Sequence, residues 1–150
     1  MQESVRILMA EDNAINQRVA KLILQRAGFS VDVVADGSEA LEAQCRNPYD
    51  LILMDCQMPV MDGFEACRHI REMKQEQPVI IAVTANALVG ERERCLAAGM
   101  DDYLSKPFQS EQLVSIVRKW IAKRLESRLA GAREEDMCGV MSEPALSKKA

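Results

Sequence analysis

The sequence has a single histidine, His69, and its five cysteines, Cys45, Cys56, Cys67, Cys95 and Cys138, form no C-x-x-C pair. Zinc-ligand spacing is missing, so no zinc site is expected. Scattered cysteines with no signal peptide in view read as reduced thiols, with a disulfide staple as the lesser alternative. No apolar run approaches the ~20 residues of a membrane span. Residues 1–10 carry acid and lack the basic start and long apolar stretch of a signal peptide. A cytoplasmic protein is expected. Positive charge is also short: the net charge is −4 and the pI about 5.1. General binding to a phosphate backbone is therefore not expected. The basic run Arg118, Lys119, Lys123, Arg124 and Arg128 is followed by no helix-turn-helix and reads as a solvated helix face. No internal repeat is visible.

What is present is ordinary globular material: 150 residues, 48% hydrophobic and 28% charged. That fits one domain with a single core. Short apolar runs alternate with helical spacing. Strands are expected at 5–10, 31–35, 51–55, 79–84 and 102–106. Asn13 caps a first helix, closed by Gly28, whose apolar stripe is Ile15, Val19, Leu22 and Ile23. Further helices are expected around 40–47, at 63–75 and at 89–98. Ser110 caps a last helix carrying Leu113, Ile116, Val117, Trp120, Ile121 and Leu125 on one stripe. Five β-α repeats with strands poor in polar residues predict an α/β fold, a doubly wound five-stranded parallel sheet covered by five helices. Residues 1–124 are assigned to this domain. Residues 125–150 mix Gly, Pro, Ser and charge without a period, and are expected to be a helix extension that frays into a disordered tail.

In such sheets ligands bind outside the carboxyl ends of the strands. Those ends here carry Glu11-Asp12, Asp55, Thr84 and Lys106. Three carboxylates that share a crevice repel one another. A hard divalent cation such as Mg²⁺ relieves this, because it prefers oxygen ligands and works with one or two carboxylates plus phosphate. Three carboxylates, one ammonium and one Mg²⁺ come to neutrality. Conversion of Asp55 to an acyl phosphate lowers the sum by only one charge, so the pocket can receive a phosphoryl group.

Four stretches, "MAEDNAINQRVA", "LILMDCQMPVMDGFE", "VIIAVTANA" and "DDYLSKPF", closely resemble the response-regulator receiver domain over residues 4–124. The resemblance implies a flavodoxin-like three-layer sandwich with strand order 2-1-3-4-5. It implies that Asp55 is the phosphoacceptor for a phosphohistidine on a histidine kinase or a histidine phosphotransfer protein. Asp12 and Asp55 would ligate Mg²⁺ directly, with Mn²⁺ able to substitute. Glu11 would act through water, since the pair is Glu-Asp where the family more often has Asp-Asp. The Gln57 backbone carbonyl would complete the set. Thr84, Ala85 and Lys106 would receive the phosphoryl group, and Thr84 with Tyr103 would form the switch. Gln57 and Asn86 sit where phosphoryl lifetime is tuned. Lys106-Pro107 resembles the family's cis peptide bond.

The same resemblance places the switched surface on the fourth helix, fifth strand and fifth helix, about 87–125, through which a homodimer would also form. "EDNAIN" is closer to receivers of hybrid sensor kinases, so the chain could equally be the cytoplasmic part of a membrane-bound kinase. A degenerate receiver that binds partners without phosphorylation is the alternative, and intact Asp55, Thr84 and Lys106 weigh against it. A flavin protein would want a Ser/Thr/Gly-rich loop after the first strand. An aspartyl phosphatase would want an acid where Gln57 stands. His69 reads as a surface residue, and Cys56, beside the acceptor, as a small packing hydrophobe rather than an oxidation site.

Overall fold

The computed structural model describes residues 5–85 and 89–141. The elements in chain order are β1 Arg6–Ala10, α1 Ala14–Arg26, β2 Ser30–Val34, α2 Gly37–Arg46, β3 Leu51–Asp55, α3 Gly63–Glu72, β4 Val79–Thr84, α4 Glu91–Ala97, β5 Asp102–Ser105 and α5 Ser110–Met141. The strands form one parallel sheet in the order β2-β1-β3-β4-β5. Both the alternation and the order agree with expectation.

Pleating explains the two-sided core. Successive side chains of a strand point to opposite faces. On β3, Ile52 and Met54 join Ala40, Phe64, Cys67 and Ile70 in one cluster, while Leu51 and Leu53 join Leu24, Leu113 and Val117 in the other. The whole strand is sealed, with Leu51 through Met54 at 0% exposure. The three central strands therefore hold their C-terminal ends rigidly.

Local signals set the helix starts. Asn13 Oδ1 accepts from the backbone N–H groups of Ile15 and Asn16, Asp36 caps α2 through Glu39, and Asp62 caps α3 through Glu65. Gly63 is required by a close approach: a Cβ there would collide with the Asp55 carbonyl. This lets α3 begin directly under the end of β3.

On two helices the apolar stripe is only partly covered. Ile15, Val19 and Leu22 on α1 are 72%, 47% and 47% exposed, and the buried residues of α1 are Ala20 and Leu24. On α5, Leu113, Val117 and Ile121 are buried, but Leu125 faces out and Trp120 is half-buried, donating from Nε1 to Asp102 Oδ2 at 2.8 Å. α5 continues in one piece past residue 124 to Met141. Its first extra turn is tied to the body: Arg124 and Arg128 both reach Asp50 and Glu76. Residues 142–150 lie outside the described residues. No helix among the described residues is long and apolar enough to cross a membrane.

Candidate functional site

The ends of β1, β3, β4 and β5 meet at one edge of the sheet, and the expected residues meet with them. Glu11 and Asp55 are buried, Asp12 is exposed, and one carboxylate oxygen from each lies within 4.8 Å of the others. Lys106 Nζ stands 2.9 Å from Asp55 Oδ2 and 2.9 Å from Glu11 Oε1. The other Asp55 oxygen accepts from the Gln57 backbone N–H at 3.1 Å. Burial works against the Lys106 ammonium, but its contacts with Glu11 and Asp55 outweigh this and hold its pKa above the ordinary lysine value.

Glu11 is held by the start of α1. Its Oε2 accepts from the Asn13 backbone N–H at 3.1 Å and from Asn16 Nδ2 at 3.5 Å, and Gln17 Nε2 donates to its carbonyl at 2.5 Å. Its Oε1 is buried and faces the Lys106 ammonium at 2.9 Å, a cation it shares with Asp55. Buried carboxylates are costly unless cations balance them. Three carboxylates against one ammonium leave an excess of two negative charges, which one divalent ion cancels. The oxygen-only donor set suits Mg²⁺. The residues present therefore fit such an ion.

The remaining expected residues are placed as follows. Thr84 is buried at the end of β4, and its Oγ1 donates to Glu91 Oε2 at 3.3 Å. Ala85 lines a cleft of about 570 Å³ with Glu11, Asn16, Val19, Lys106, Pro107 and Phe108. Lys106-Pro107 is cis. Tyr103 pairs with Ala82 in the sheet and lies half-buried against the core on the α3 side. Gln57 is exposed at the rim. Asn86 lies outside the described residues. Burial pushes the Cys56 thiol up, and nearby Cys95 adds to this.

Sequence reasoning missed two features. Beside the crevice, α1 and α5 bound an open apolar groove of about 690 Å³ lined by Val19, Leu22, Ile23 and Val114. The helical stripe on α1 was the available signal. The second is the approach of Cys56, Glu91 and Cys95, whose donor atoms all lie within 4.8 Å. Residues 39 apart in the chain give no spacing signal for this.

Residues 7–118 match the family model described as response regulator receiver domain. The chain is 43% identical over 124 residues to hybrid signal transduction histidine kinase K of Dictyostelium discoideum, covering 77% of this chain and 10% of that protein. It is 39% identical over 115 residues to signal transduction histidine-protein kinase BarA of Escherichia coli K12, covering 76% of this chain and 12% of that protein. The chain thus spans about a tenth of the length of the curated relatives it matches. Among solved structures it is similar to the receiver domain of sensor histidine kinase PA1611 from Pseudomonas aeruginosa PAO1, which holds a magnesium ion in its active-site cleft. The identity there is 49%, the TM-score 0.73, and coverage 80% of this chain and 99% of that one. It is also similar to the receiver domain of Ssk1, solved with the phosphotransfer protein Ypd1 from Saccharomyces cerevisiae, at 29% identity, TM-score 0.72, and coverage of 80% and 90%. The strand-tip carboxylates, the paired lysine, the sheet order and these likenesses converge, and the chain belongs to the response-regulator receiver domain family.

Proposed function

We propose that Asp55 accepts a phosphoryl group from a phosphohistidine on a histidine kinase or a histidine phosphotransfer protein. The observation that carries this is the seating of the Asp55 carboxylate: buried, fixed at 2.9 Å by Lys106 and at 3.1 Å by the Gln57 N–H, in a crevice with two negative charges in excess. An Asp55 oxygen bonds to phosphorus while the N–P bond breaks. The imidazole nitrogen keeps the bonding pair, and a protonated phosphohistidine ring leaves as neutral imidazole. The product is an acyl phosphate on Asp55.

Asp12, Asp55 and the Gln57 carbonyl, with Glu11 through water, would hold Mg²⁺ (or Mn²⁺), which when bound supplies positive charge to the phosphoryl oxygens. Lys106 follows the phosphoryl group, because its ammonium already sits on Asp55. Ala85 leaves room for it. Thr84 turns from Glu91 to a phosphoryl oxygen, and Tyr103 moves inward into the space released. This biases the surface of α4, β5 and α5, through which a homodimer also forms. Gln57 and Asn86 tune the lifetime of the acyl phosphate. The apolar groove between α1 and α5 adjoins the cleft of Glu11 and Lys106 at Val19 and suits the docking of a phosphotransfer helix, in line with the likeness to the Ssk1 receiver. The receiver body is residues 1–124, working in the cytoplasm, and 125–150 is an extension tied back through Arg128.

The test is incubation with acetyl phosphate and Mg²⁺, read by intact mass. One phosphoryl group is expected on the wild type and none on Asp55→Asn. Label that survives that substitution sinks the acceptor assignment.

A further inference from the structure

Directly after the acceptor, the chain turns a sulfur away from the oxygen-lined crevice. Cys56 Sγ lies 4.0 Å from Cys95 Sγ on α4, and both cysteines are buried. The Glu91 carboxylate, one turn earlier on α4, is also buried and completes a set of three donors within 4.8 Å of one another. A tetrahedral ion with Zn–S bonds near 2.3 Å holds its two sulfurs ~3.8 Å apart. A disulfide would need the sulfurs to close to ~2.05 Å, about half their present separation. At 4.0 Å the two thiols are in hydrogen-bond contact, and an ion between them would need the sulfurs to close by only ~0.2 Å, against about 2 Å for a disulfide.

We propose that Cys56, Glu91 and Cys95 form a second cation site, for a soft thiophilic divalent ion of the Zn²⁺ class, separate from the oxygen-only crevice. Ligand type sorts the two sites: thiolate selects zinc-like ions, whereas carboxylate and carbonyl oxygens select Mg²⁺. On binding, the ion replaces two thiol protons, which leave to solvent. Two thiolates and one carboxylate against a divalent ion leave one negative charge. Arg94, whose guanidinium lies over the Phe64 ring at 4.1 Å, stands at the mouth of the same cavity and offsets it. That cavity, also lined by Gln57, Met58 and Asp62, is the way in from solvent and leaves a fourth position for water. A carboxylate has two oxygens, so Glu91 can face the ion and still accept from Thr84. The ion would join the end of β3 to α4.

The test uses the full chain, reduced and stripped of metal, in excess Mg²⁺ to fill the acidic crevice. Cd²⁺ is titrated as a spectroscopic probe, then competed with Zn²⁺. One Cd²⁺ per chain is expected, with an ultraviolet cadmium–thiolate charge-transfer band that Zn²⁺ abolishes. Cys56→Ser and Cys95→Ser should lose the band, Glu91→Gln should weaken binding at least tenfold, and Asp55→Asn should keep both. Zn²⁺ should also slow alkylation of Cys56 and Cys95, but not of buried Cys67, a readout that needs no substitution if a serine variant fails to fold. Absence of the band, its persistence in the double cysteine variant, displacement of the ion by Mg²⁺, or equal protection of Cys67 would each overturn the site.

Discussion

Asp50 stands just before β3 and Asp55 at its exit, five residues apart, and their surroundings differ in charge balance. Asp50 accepts from the Arg6 backbone N–H at 2.8 Å, from Arg124 Nε at 3.1 Å and from Arg128 at 3.0 Å. Glu76 shares both arginines, so two acids meet two guanidiniums. Asp55 shares its one lysine with Glu11, and Asp12 adds a third acid. The first end is closed in charge and works as a clamp between the sheet and α5. The second is left short of positive charge, and that shortage is what prepares it for a cation and a phosphoryl group. The same residue type at either end of one strand thus becomes a strut or a nucleophile according to the cations its neighbours supply.

Exchanging the two acids for amides separates these roles most sharply. Asp55→Asn should remove all phosphorylation by acetyl phosphate. Asp50→Asn should leave the extent of labelling unchanged and cost stability instead, about 1–3 kcal/mol for hydrogen bonds to charged groups at a half-buried site. Intact mass and urea unfolding on both variants check this. Equal labelling of the two would end the distinction between strut and nucleophile.

Next in size is Lys106. Its removal should slow labelling by about 10²–10³-fold, the usual loss when one preorganised donor to a developing oxyanion is deleted. The same residue gives a pH signature. Its folded pKa lies above the ordinary lysine value of about 10.4. The stability it contributes is then fully present below that ordinary value and is lost as pH rises through the folded one. Urea midpoints of wild type and Lys106→Met should differ by a constant amount below that window and converge across it. A gap that widens with pH would reverse the sign of the assignment.

The acceptor end was legible in the sequence because every participant is the last residue of a strand or lies within two residues of its end. Glu11, Asp12, Asp55, Thr84 and Lys106 could be listed from strand ends alone, since parallel strands bring those ends to one edge. The clamp end was not legible. Arg124 and Arg128 are far from Asp50 in sequence, and a helix pattern does not reveal which strand entry it crosses. The stripe on α1 was legible only in part. Period shows which residues share a face but not whether another element covers it, and Ile15, Val19 and Leu22 are left exposed.

Metal supply tests the charge shortage directly. Mg²⁺ at a hundredfold excess over its dissociation constant should stabilise the protein by about 2.7 kcal/mol, because a ligand of the folded state shifts unfolding by mass action. Asp12→Ala should lose most of this gain, while Asp50→Asn should keep it. Thermal melts with Mg²⁺ and with EDTA give the comparison. A gain that survives Asp12→Ala would move the ion elsewhere.

The smallest effect lies in the loop that leaves the acceptor end. Val60 has φ of +69°, the left-handed region, whereas the turn entering at Asp50 shows no such residue. A β-branched side chain is strained there, at roughly 1–2 kcal/mol for an L-residue. Val60 is 83% exposed, so its side chain contributes little burial to offset this. The strain persists because the loop is fixed at both sides: Gly37 N–H donates to the Met61 carbonyl at 2.9 Å, and Gly63 N–H to the Cys56 carbonyl at 3.1 Å. Val60→Gly adopts the same φ freely but gives the unfolded chain more freedom, which takes back part of the gain. A net stabilisation of about 0.5–1 kcal/mol is expected by urea unfolding, with labelling of Asp55 preserved. Destabilisation would show that the valine side chain is held by contacts and that the acceptor loop carries no strain.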